Sequence, residues 1–312
     1  MPDGDRTFVA EELKRWQTAG FIRKLDGAER AAARCVSPAF VSHVLPNPRL
    51  VIDLREVNEQ LEDKPFRYDA LPDFVASLQL GDHLISWDIK DAFHRVYIHP
   101  DDRTYLNFAI DGEVYEAITI PLGLSIAPWA WTKVMRPVLA HLRGLSFALI
   151  GYVDDHGAAA PGTRPTSKAD AAAGFATVAR LYASLGMQLH PEKGDREGTQ
   201  QLTLLGFTID SAGNRLTLSA ERVAKVSGAA MALLSSEGKN RRFVRLTVLQ
   251  RMADLAVSTK LAIPAAKLYT RAMYDDLRIG TRFGTVDQVD PNDRSDRPSH
   301  HDRRLSHNQF EI

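Results

Sequence analysis

The sequence contains a single cysteine, Cys35, among 312 residues, so the chain cannot form an internal disulfide. This composition fits a reducing intracellular compartment. The chain also lacks any apolar run close to the ~20 residues that a bilayer-spanning helix needs, and its polar amino terminus has no apolar core typical of a signal peptide. We therefore expect an intracellular protein without a membrane partner.

An excess of charge of either sign is lacking too, because 39 Lys and Arg residues balance 39 Asp and Glu residues. A strongly basic chain, the simplest signature of nucleic-acid binding, is thus excluded. The distribution is uneven, however, since residues 221–282 carry 12 Lys and Arg against 5 Asp and Glu. Solvated helix faces explain such a stretch as well as a nucleic-acid surface does. Its function therefore depends on what precedes it.

Hydrophobic periodicity predicts a mixture of helices and strands in a chain long enough to split into subdomains. Thr7 is a candidate cap of the first helix, and Asp111-Gly112 between apolar alternations predicts a hairpin. Strands are predicted on either side of a turn at residues 46–48, at 83–89 and at 187–190. Helices are predicted at 125–142, 167–185, 220–236, 244–261 and 265–278, before a polar, disordered tail.

Two adjacent aspartates, Asp154 and Asp155, end an apolar, β-prone run that begins at Phe147. This pattern predicts a buried strand entering a tight hairpin with both carboxylates at its tip. Carboxylate oxygens are the ligands that hard divalent cations prefer, and Asp88 near the end of another predicted strand could supply a third. The local sequence offers these carboxylates no basic partner. A turn or helix cap is the simpler alternative, but the apolar run leading into the pair favours a metal site.

The order of several motifs resembles that of reverse transcriptases. The segments that carry the resemblance are Val51-Ile52-Asp53-Leu54-Arg55-Glu56-Val57-Asn58, Ser86-Trp87-Asp88-Ile89-Lys90-Asp91-Ala92-Phe93, Pro121-Leu122-Gly123, Tyr152-Val153-Asp154-Asp155, His190-Pro191-Glu192-Lys193 and Leu204-Leu205-Gly206-Phe207. A lone Tyr-x-Asp-Asp is a weak signal, whereas the ordered set at compatible spacings is specific. The Pro-Leu-Gly-Leu turn and Ala262-Ile263-Pro264 look most like retrotransposons of the DIRS and gypsy kinds.

This resemblance implies an α+β fold of the right-hand polymerase type, with fingers, a palm made of an antiparallel sheet backed by helices, and a helical thumb. It places the fingers at residues 1–62 and 96–126, the palm at 63–95 and 127–213, the thumb at 214–283 and a disordered tail at 284–312. It also implies that the chain is one piece of a larger polyprotein with ribonuclease H and integrase or recombinase segments.

The activity implied by the resemblance is RNA-directed DNA synthesis on a primed RNA or DNA template, with dNTPs as substrates. Asp88, Asp154 and Asp155 would bind two Mg²⁺ ions, or Mn²⁺ in their place. Asp88 and Asp154 would bridge the ions, and Asp155 would act less directly. Two such ions can activate a primer 3′-hydroxyl and stabilise the leaving group of an in-line displacement.

Further residues receive roles from the same resemblance. For the nucleotide, Arg49 would grip the triphosphate, Leu122 and Gly123 would form the positioning turn, and Lys193 would protonate the leaving pyrophosphate. Phe93 would exclude the ribose 2′-hydroxyl, although a core aromatic is the alternative for this ring. Solvent-exposed surface or loop positions remain alternatives for Arg49 and Lys193. The primer end would contact Leu205, Gly206 and Phe207, and the template–primer duplex would contact Arg241, Arg242 and Arg245.

Two other functions fit parts of the pattern. An RNA-dependent RNA polymerase shares the palm and the Asp-Asp hairpin, but the aromatic Phe93 argues against selection of rNTPs. A decayed or domesticated domain that binds nucleic acid without polymerising it is the second alternative. Residues 156–159, His-Gly-Ala-Ala, stand where the family usually has larger apolar residues, and lysines are absent around His43; both features favour it, whereas the intact aspartates oppose it.

Overall fold

The computed structural model of the chain describes residues 3–43, 48–237, 244–283 and 288–289. These residues fall into two compact units. The first comprises the chain up to Leu202 together with Ser211–Gly213, and the second comprises Thr203–Asp210 and the described residues from Asn214 onward. Within the described ranges, no helix combines the length and the apolarity that crossing a membrane requires.

Helices and strands are interspersed along the first unit, as the sequence predicts. Its helices are α1 (Asp3–Thr18), α2 (Gly27–Ala32), α3 (Arg55–Glu59), α4 (Leu71–Ser77), α5 (Pro100–Arg103), α6 (Ala127–Gly144) and α7 (Lys168–Ser184). Its strands are β1 (Ile22–Lys24), β2 (Val36–Ser42), β3 (Arg49–Ile52), β4 (Leu84–Asp88), β5 (Asn107–Ile110), β6 (Glu113–Ala117), β7 (Ala148–Tyr152) and β8 (Asp155–Ala159). A short 3₁₀ helix, Phe93–Arg95, follows β4.

One sheet of the first unit has five strands in the order β1-β6-β5-β2-β3. The predicted hairpin at Asp111-Gly112 is confirmed, because β5 and β6 pair antiparallel across these two residues. Strands β2 and β3 also pair antiparallel, as predicted, although residues 44–47 of their connection lie outside the described ranges. The parallel pairing of β2 with β5 joins the two antiparallel parts of the sheet. The core of this region includes Trp16 and Phe108.

The other sheet of the first unit has three antiparallel strands in the order β4-β8-β7. Its central strand contains residues 156–159, the segment whose small side chains stood out in the sequence, and all four residues are buried. Helices α6 and α7 supply large side chains to the same core, among them Trp131, Leu142 and Tyr182. Small residues in the central strand thus coincide with dense packing around it.

Two local predictions are wrong. Thr7 does not cap the first helix, because α1 already begins at Asp3. Residues 187–190 do not form a strand, but they contact the end of β4 through an isolated Ile89–Leu189 bridge. The predicted helix at 167–185 is confirmed as α7, and Ser167 caps it in a reciprocal capping box with Asp170.

The second unit is mainly helical after a small sheet. Its elements are β10 (Phe207–Asp210), β11 (Arg215–Leu218), α8 (Ala220–Glu237), β12 (Val244–Arg245), α9 (Leu246–Val257), α10 (Ala266–Phe283) and β13 (Gln288–Val289), and β9 (Gln201–Leu204) enters it at Thr203. The strand order is β11-β10-β9, and β12 pairs with β13. The three predicted helices are confirmed as α8, α9 and α10. The predicted disordered tail lies outside the described residues, apart from β13.

Candidate active site

The three aspartates predicted to bind metal lie at the same end of the three-stranded sheet. Strand β4 ends at Asp88, strand β8 begins at Asp155, and these two residues are direct partners in the ladder. The amide of Ile89 donates to the carbonyl of Asp154 over 3.0 Å. Antiparallel pairing therefore brings together residues that lie more than sixty positions apart in the sequence.

The predicted hairpin is confirmed as a tight turn whose central residues are Val153 and Asp154. Val153 has a φ of +54°, a conformation that is strained for a β-branched residue. The indole Nε1 of Trp131 donates to the Val153 carbonyl over 2.7 Å. The Nδ1 atom of His156 lies 3.0 Å from the Asp154 carbonyl. Both carbonyls of the strained turn therefore have a side-chain partner.

The carboxyl groups of the hairpin have perturbed acidities. Partial burial is the main cause that raises the pKa of Asp154, and the nearby charge of Asp88 adds to it. Burial likewise raises the pKa of Asp155, followed by the charges of Asp154 and Asp88. The hairpin is thus a site of accumulated negative potential, as the sequence predicts for neighbouring aspartates.

A basic residue from a distant segment balances part of this charge. The ammonium Nζ of Lys193 donates to Asp88 Oδ2 over 2.8 Å, and this hydrogen bond is the main cause that raises the pKa of Lys193. Asp88 is almost completely buried, whereas the Lys193 side chain is about half exposed. The local sequence offers the carboxylates no basic partner, but the folded chain supplies one from a segment 105 positions away.

The arrangement can be compared with the needs of a divalent cation. Among the described residues, no three His, Cys, Asp or Glu side chains already stand close enough together to hold a metal ion. The chemistry of the donors nevertheless fits, because three carboxylates offer the oxygen ligands that Mg²⁺ prefers. Burial is the main cause that raises the pKa values of Asp154 and Asp155, and the charge of Asp88 adds to both, so negative charges lie close together here.

The loop that carries Lys193 follows the edge of β4 closely. The Ser86 amide donates to the Asp195 carbonyl, and the Asp195 amide donates to Ser86 Oγ, each over 2.9 Å. Gly194, which lies between Lys193 and Asp195, has a φ of +88°, and a Cβ atom at this position would lie 2.3 Å from the Ser86 carbonyl oxygen. Only glycine fits this close approach, which places Lys193 beside Asp88.

We expect Gly194→Ala to move Lys193 away from Asp88 and to lower nucleotide incorporation, the activity that the resemblance implies, about tenfold, the equivalent of ~1.4 kcal/mol. The added methyl group meets backbone atoms, which cannot rotate aside. Gly186→Ala is the matched control, because Gly186 has a φ of +70° but no heavy atom within 4 Å of a Cβ. Single-turnover rates and melting temperatures are measured for both variants. Equal rates in the two variants would contradict the positioning of Lys193 by Gly194.

Phe93 begins the 3₁₀ helix that follows β4 and is partly buried. Its ring meets Trp131 edge-on, with ring centroids 6.4 Å apart. It packs against both core clusters of the first unit. Partial burial is compatible with both alternatives raised by the sequence, a packed aromatic and a contact to the nucleotide.

The turn before α6 is joined to the chain after β3. The side-chain Nδ2 of Asn58 donates to the Gly123 carbonyl over 2.9 Å, and its Oδ1 accepts from the backbone amide of Ser125 over 2.8 Å. Leu122, in the same turn, is 57% exposed. Arg49 is exposed at the start of β3. Exposure leaves Leu122 and Arg49 available to a ligand, but no described contact joins either of them to the aspartates.

The predicted primer-end residues lie in the second unit, where Leu205 and Gly206 connect β9 to β10 and Phe207 begins β10. Leu205 has a φ of +51°, and its carbonyl accepts from Arg222 Nη1 over 2.9 Å. The Arg222 guanidinium also lies over the Phe207 ring, 5.0 Å from its centroid. Arg241 and Arg242 lie outside the described residues, and for Arg245 the backbone in β12 is described but the side chain is not.

Three contributors to the site were missed by sequence reasoning. Trp131 makes one hydrogen bond to loop backbone and Asn58 makes two, and such contacts leave no periodic trace in a sequence. Gly194 follows Lys193 directly, and a glycine within a charged loop is the one signal that could have identified it. The primer-end partner Arg222 was counted only as part of a basic stretch.

Comparison with known proteins agrees with this geometry. The family described as "Reverse transcriptase (RNA-dependent DNA polymerase)" matches residues 43–209. The chain is 26% identical over 216 residues to the retrovirus-related Pol polyprotein from transposon gypsy of Drosophila melanogaster, covering 68% of the chain and 20% of that polyprotein. It is 22% identical over 143 residues to the Tf2-7 transposon polyprotein of Schizosaccharomyces pombe, covering 46% and 10%. The chain therefore spans a fifth or less of these relatives.

Solved structures share the fold. A foamy viral protease-reverse transcriptase in complex with double-stranded DNA aligns with a TM-score of 0.66 at 17% identity, over 85% of this chain and 42% of that one. The same viral protein in complex with an RNA/DNA hybrid also gives 0.66, at 16% identity, over 89% and 34%. The predicted α+β polymerase fold is thus confirmed. Because the family match covers more than half of the 312 residues, the chain belongs to the reverse transcriptases, as the reverse transcriptase domain of a retrotransposon polyprotein.

Proposed function

We propose that the chain is an active RNA-directed DNA polymerase that adds dNTPs to a primer 3′ end by two-metal phosphoryl transfer. The observation that carries this proposal is the placement of Asp88, Asp154 and Asp155 at one end of the β4-β8-β7 sheet. Three carboxylates in mutual repulsion are costly in a resting protein and useful to one that binds cations.

Asp88 and Asp154 would bridge two Mg²⁺ ions, and Asp155 would contribute less directly. Such ions, when bound, favour deprotonation of the primer 3′-hydroxyl and neutralise charge on the leaving group. A cation at Asp88 would compete with Lys193, which donates to Oδ2 in this structure, and would favour release of the ammonium. The 3′-hydroxyl would lose its proton to water, and the 3′-oxygen would form a bond to the α-phosphorus as the bond from that phosphorus to the pyrophosphate oxygen breaks. The ammonium of Lys193 would give a proton to the departing pyrophosphate.

Other residues would hold the nucleotide. Arg49 is an exposed guanidinium, which suits a triphosphate because its planar donors can bind two oxygens at once. The Leu122-Gly123 turn would lie against the nucleotide in an orientation maintained by Asn58. The partly buried ring of Phe93 would contact the sugar and exclude a 2′-hydroxyl, so dNTPs are the proposed substrates.

A primed template is the proposed partner in nucleic acid. The similar foamy viral protein is described in complex with double-stranded DNA and with an RNA/DNA hybrid, which supports both template types. Leu205, Gly206 and Phe207 would hold the primer end, and Arg241, Arg242 and Arg245 would contact duplex phosphates. The small share of the relatives covered by the chain supports further polyprotein segments, including ribonuclease H and an integrase or recombinase.

Primer extension on matched RNA and DNA templates tests the proposal. We expect extension on both with Mg²⁺, complete loss with EDTA, and recovery when Mg²⁺ or Mn²⁺ is restored, because the carboxylates alone cannot activate the 3′-hydroxyl. Template–primer affinity in EDTA is the control, since duplex contacts by basic residues need no metal. Tight binding without extension in either metal would contradict the proposal and support the nucleic-acid-binding relic.

A further inference from the structure

We propose that Trp131 and His156 are positioning residues that hold the two carbonyl groups of the catalytic turn and so fix the direction of Asp154. This inference builds on the proposed two-metal function, because it concerns how one of the metal ligands is aimed. It assigns a role to the residue directly after Asp155, where the sequence departs from the pattern of the reverse transcriptases.

The turn needs external support because its backbone is strained. Val153 is β-branched and has a φ of +54°, and residues of this kind rarely adopt such a conformation without surroundings that impose it. A relaxed turn would rotate the Val153 and Asp154 peptide planes, and the Asp154 side chain would rotate with them. Fixing the carbonyl oxygens is the direct way to prevent this rotation.

Trp131 fixes the first carbonyl. Trp131 lies on α6 and is 1% exposed, and its Nε1 donates to the carbonyl oxygen of Val153 over 2.7 Å. A buried indole without a partner loses the hydrogen bond it makes with water in the unfolded chain. The rigid ring therefore favours the turn conformation that offers it an acceptor.

His156 fixes the second carbonyl. Its ring is 1% exposed and stacks on Trp87, with centroids 5.4 Å apart and planes 12° apart, while Tyr182 meets it edge-on at 6.2 Å. Nδ1 lies 3.0 Å from the backbone carbonyl oxygen of Asp154. Because a carbonyl can only accept, Nδ1 must carry the proton. The two neighbouring rings leave the imidazole little freedom to point elsewhere.

Space for the imidazole is provided by the strand opposite. Gly151 is the ladder partner of His156, and a Cβ atom there would lie 3.1 Å from the imidazole and 2.7 Å from Leu139 Cδ1. The Asp154 oxygen also accepts from the Ile89 amide, directly after Asp88. The hydrogen bond from Ile89 thus joins the hairpin to the strand that supplies the other proposed bridging ligand, while the bond of His156 lies within the hairpin.

Substitutions at His156 separate the hydrogen bond from the packing. Phenylalanine keeps an aromatic ring between Trp87 and Tyr182 but has no donor. Asparagine loses the ring, yet its Nδ2 occupies the position of the imidazole Nδ1 and can donate to the Asp154 carbonyl. Trp131→Phe removes the other donor in the same way. The comparison of His156→Phe with His156→Asn therefore isolates positioning from stability.

Two measurements are made on the full chain: Mn²⁺ affinity, from water-proton relaxation, and hydrogen exchange of the peptide that contains residues 151–157 in EDTA. We expect His156→Phe and Trp131→Phe each to weaken Mn²⁺ binding about fivefold and to speed exchange of the hairpin, as the loss of one hydrogen bond allows. His156→Asn should melt at a lower temperature than His156→Phe but keep wild-type Mn²⁺ affinity and hairpin exchange.

Several outcomes would overturn the inference. Unchanged hydrogen exchange of the hairpin in both phenylalanine variants would contradict the proposed role. A drop in Mn²⁺ affinity in His156→Asn as large as the drop in His156→Phe would contradict it too. Neither the Mn²⁺ affinity nor the hydrogen exchange depends on polymerisation. A wild-type chain that extends no primer would therefore contradict the proposed function alone, and the exchange data would still decide whether Trp131 and His156 hold the turn.

Discussion

Replacement of Asp154 by asparagine is expected to abolish primer extension, with a loss of at least about a thousandfold, because a bridging metal ligand contributes several kcal/mol to the transition state. Single-turnover incorporation of one dNTP in Mg²⁺ measures the effect. Asp101→Asn is the matched control, since this aspartate is 86% exposed and lies in α5, away from the sheet. Extension by the Asp154 variant at the wild-type rate would contradict its assignment as a ligand.

The same substitution is expected to raise the melting temperature of the metal-free protein at pH 7. Burial and the charge of Asp88 raise the pKa of Asp154 in the folded chain, so the folded state binds its proton more tightly than the unfolded state does. Stability therefore falls as pH rises from the ordinary pKa through the raised one, and neutral asparagine removes this cost. The gain should disappear when the melts are repeated at a pH below both values.

Asp88→Asn should lose activity to a similar extent but should not gain stability. Its carboxylate accepts from Lys193, whose raised pKa means that the pair stabilises the fold at neutral pH and weakens only above the ordinary pKa of lysine. Since Lys193 is half exposed, the loss should be at most ~1 kcal/mol. Equal melting temperatures for Asp88→Asn and Asp154→Asn in EDTA would contradict the expectation that Asp88 is stabilised by Lys193 while the charge of Asp154 is destabilising.

Phe93→Val is expected to reduce discrimination between dGTP and GTP about a hundredfold, within the ~1–3 kcal/mol that steric selection by one side chain supplies. The ring cannot accept or donate a hydrogen bond, so its effect on a 2′-hydroxyl is steric. Polymerisation should continue, because no proposed metal ligand is changed. The measurement is kcat/KM for single incorporation of each nucleotide by wild type and variant.

Phe108→Val distinguishes this effect from general loss of packing. Phe108 is fully buried and stacks on Tyr115 in the five-stranded sheet, so its truncation should lower stability by ~1–3 kcal/mol without altering the nucleotide ratio. If Phe93→Val lowers the melting temperature as much as Phe108→Val does and leaves the dGTP-to-GTP ratio unchanged, Phe93 acts only as a core residue.

Much of the fold and the carboxylates could be predicted because their signals are local. The apolar run into Asp154-Asp155, the Asp111-Gly112 turn and the Ser167 cap each specify their structure within a few residues. Motif order then supplied the larger architecture. The start of the first helix was misplaced because Thr7 is a good cap residue in isolation, whereas the chain becomes helical four residues earlier.

Contacts that depend on the folded chain could not be predicted. Lys193 meets Asp88 across 105 positions of sequence, and the parallel pairing of β2 with β5 joins segments about seventy residues apart. Residues 187–190 have a strand-like composition, but their segment meets β4 through an isolated bridge and single hydrogen bonds rather than a continuous ladder. Tertiary packing determines which of these segments pair, and a single sequence carries no local signal for such long-range contacts.

The ion pair between Lys193 and Asp88 also bears on how such a domain matures. An almost completely buried carboxylate without a counter-charge would penalise folding until a divalent cation arrived. Here the chain carries its own counter-charge on a flexible stem, half exposed and free to withdraw. We therefore expect this domain to fold without a bound cation, so that folding and the proposed binding of metal and nucleotide are separate steps.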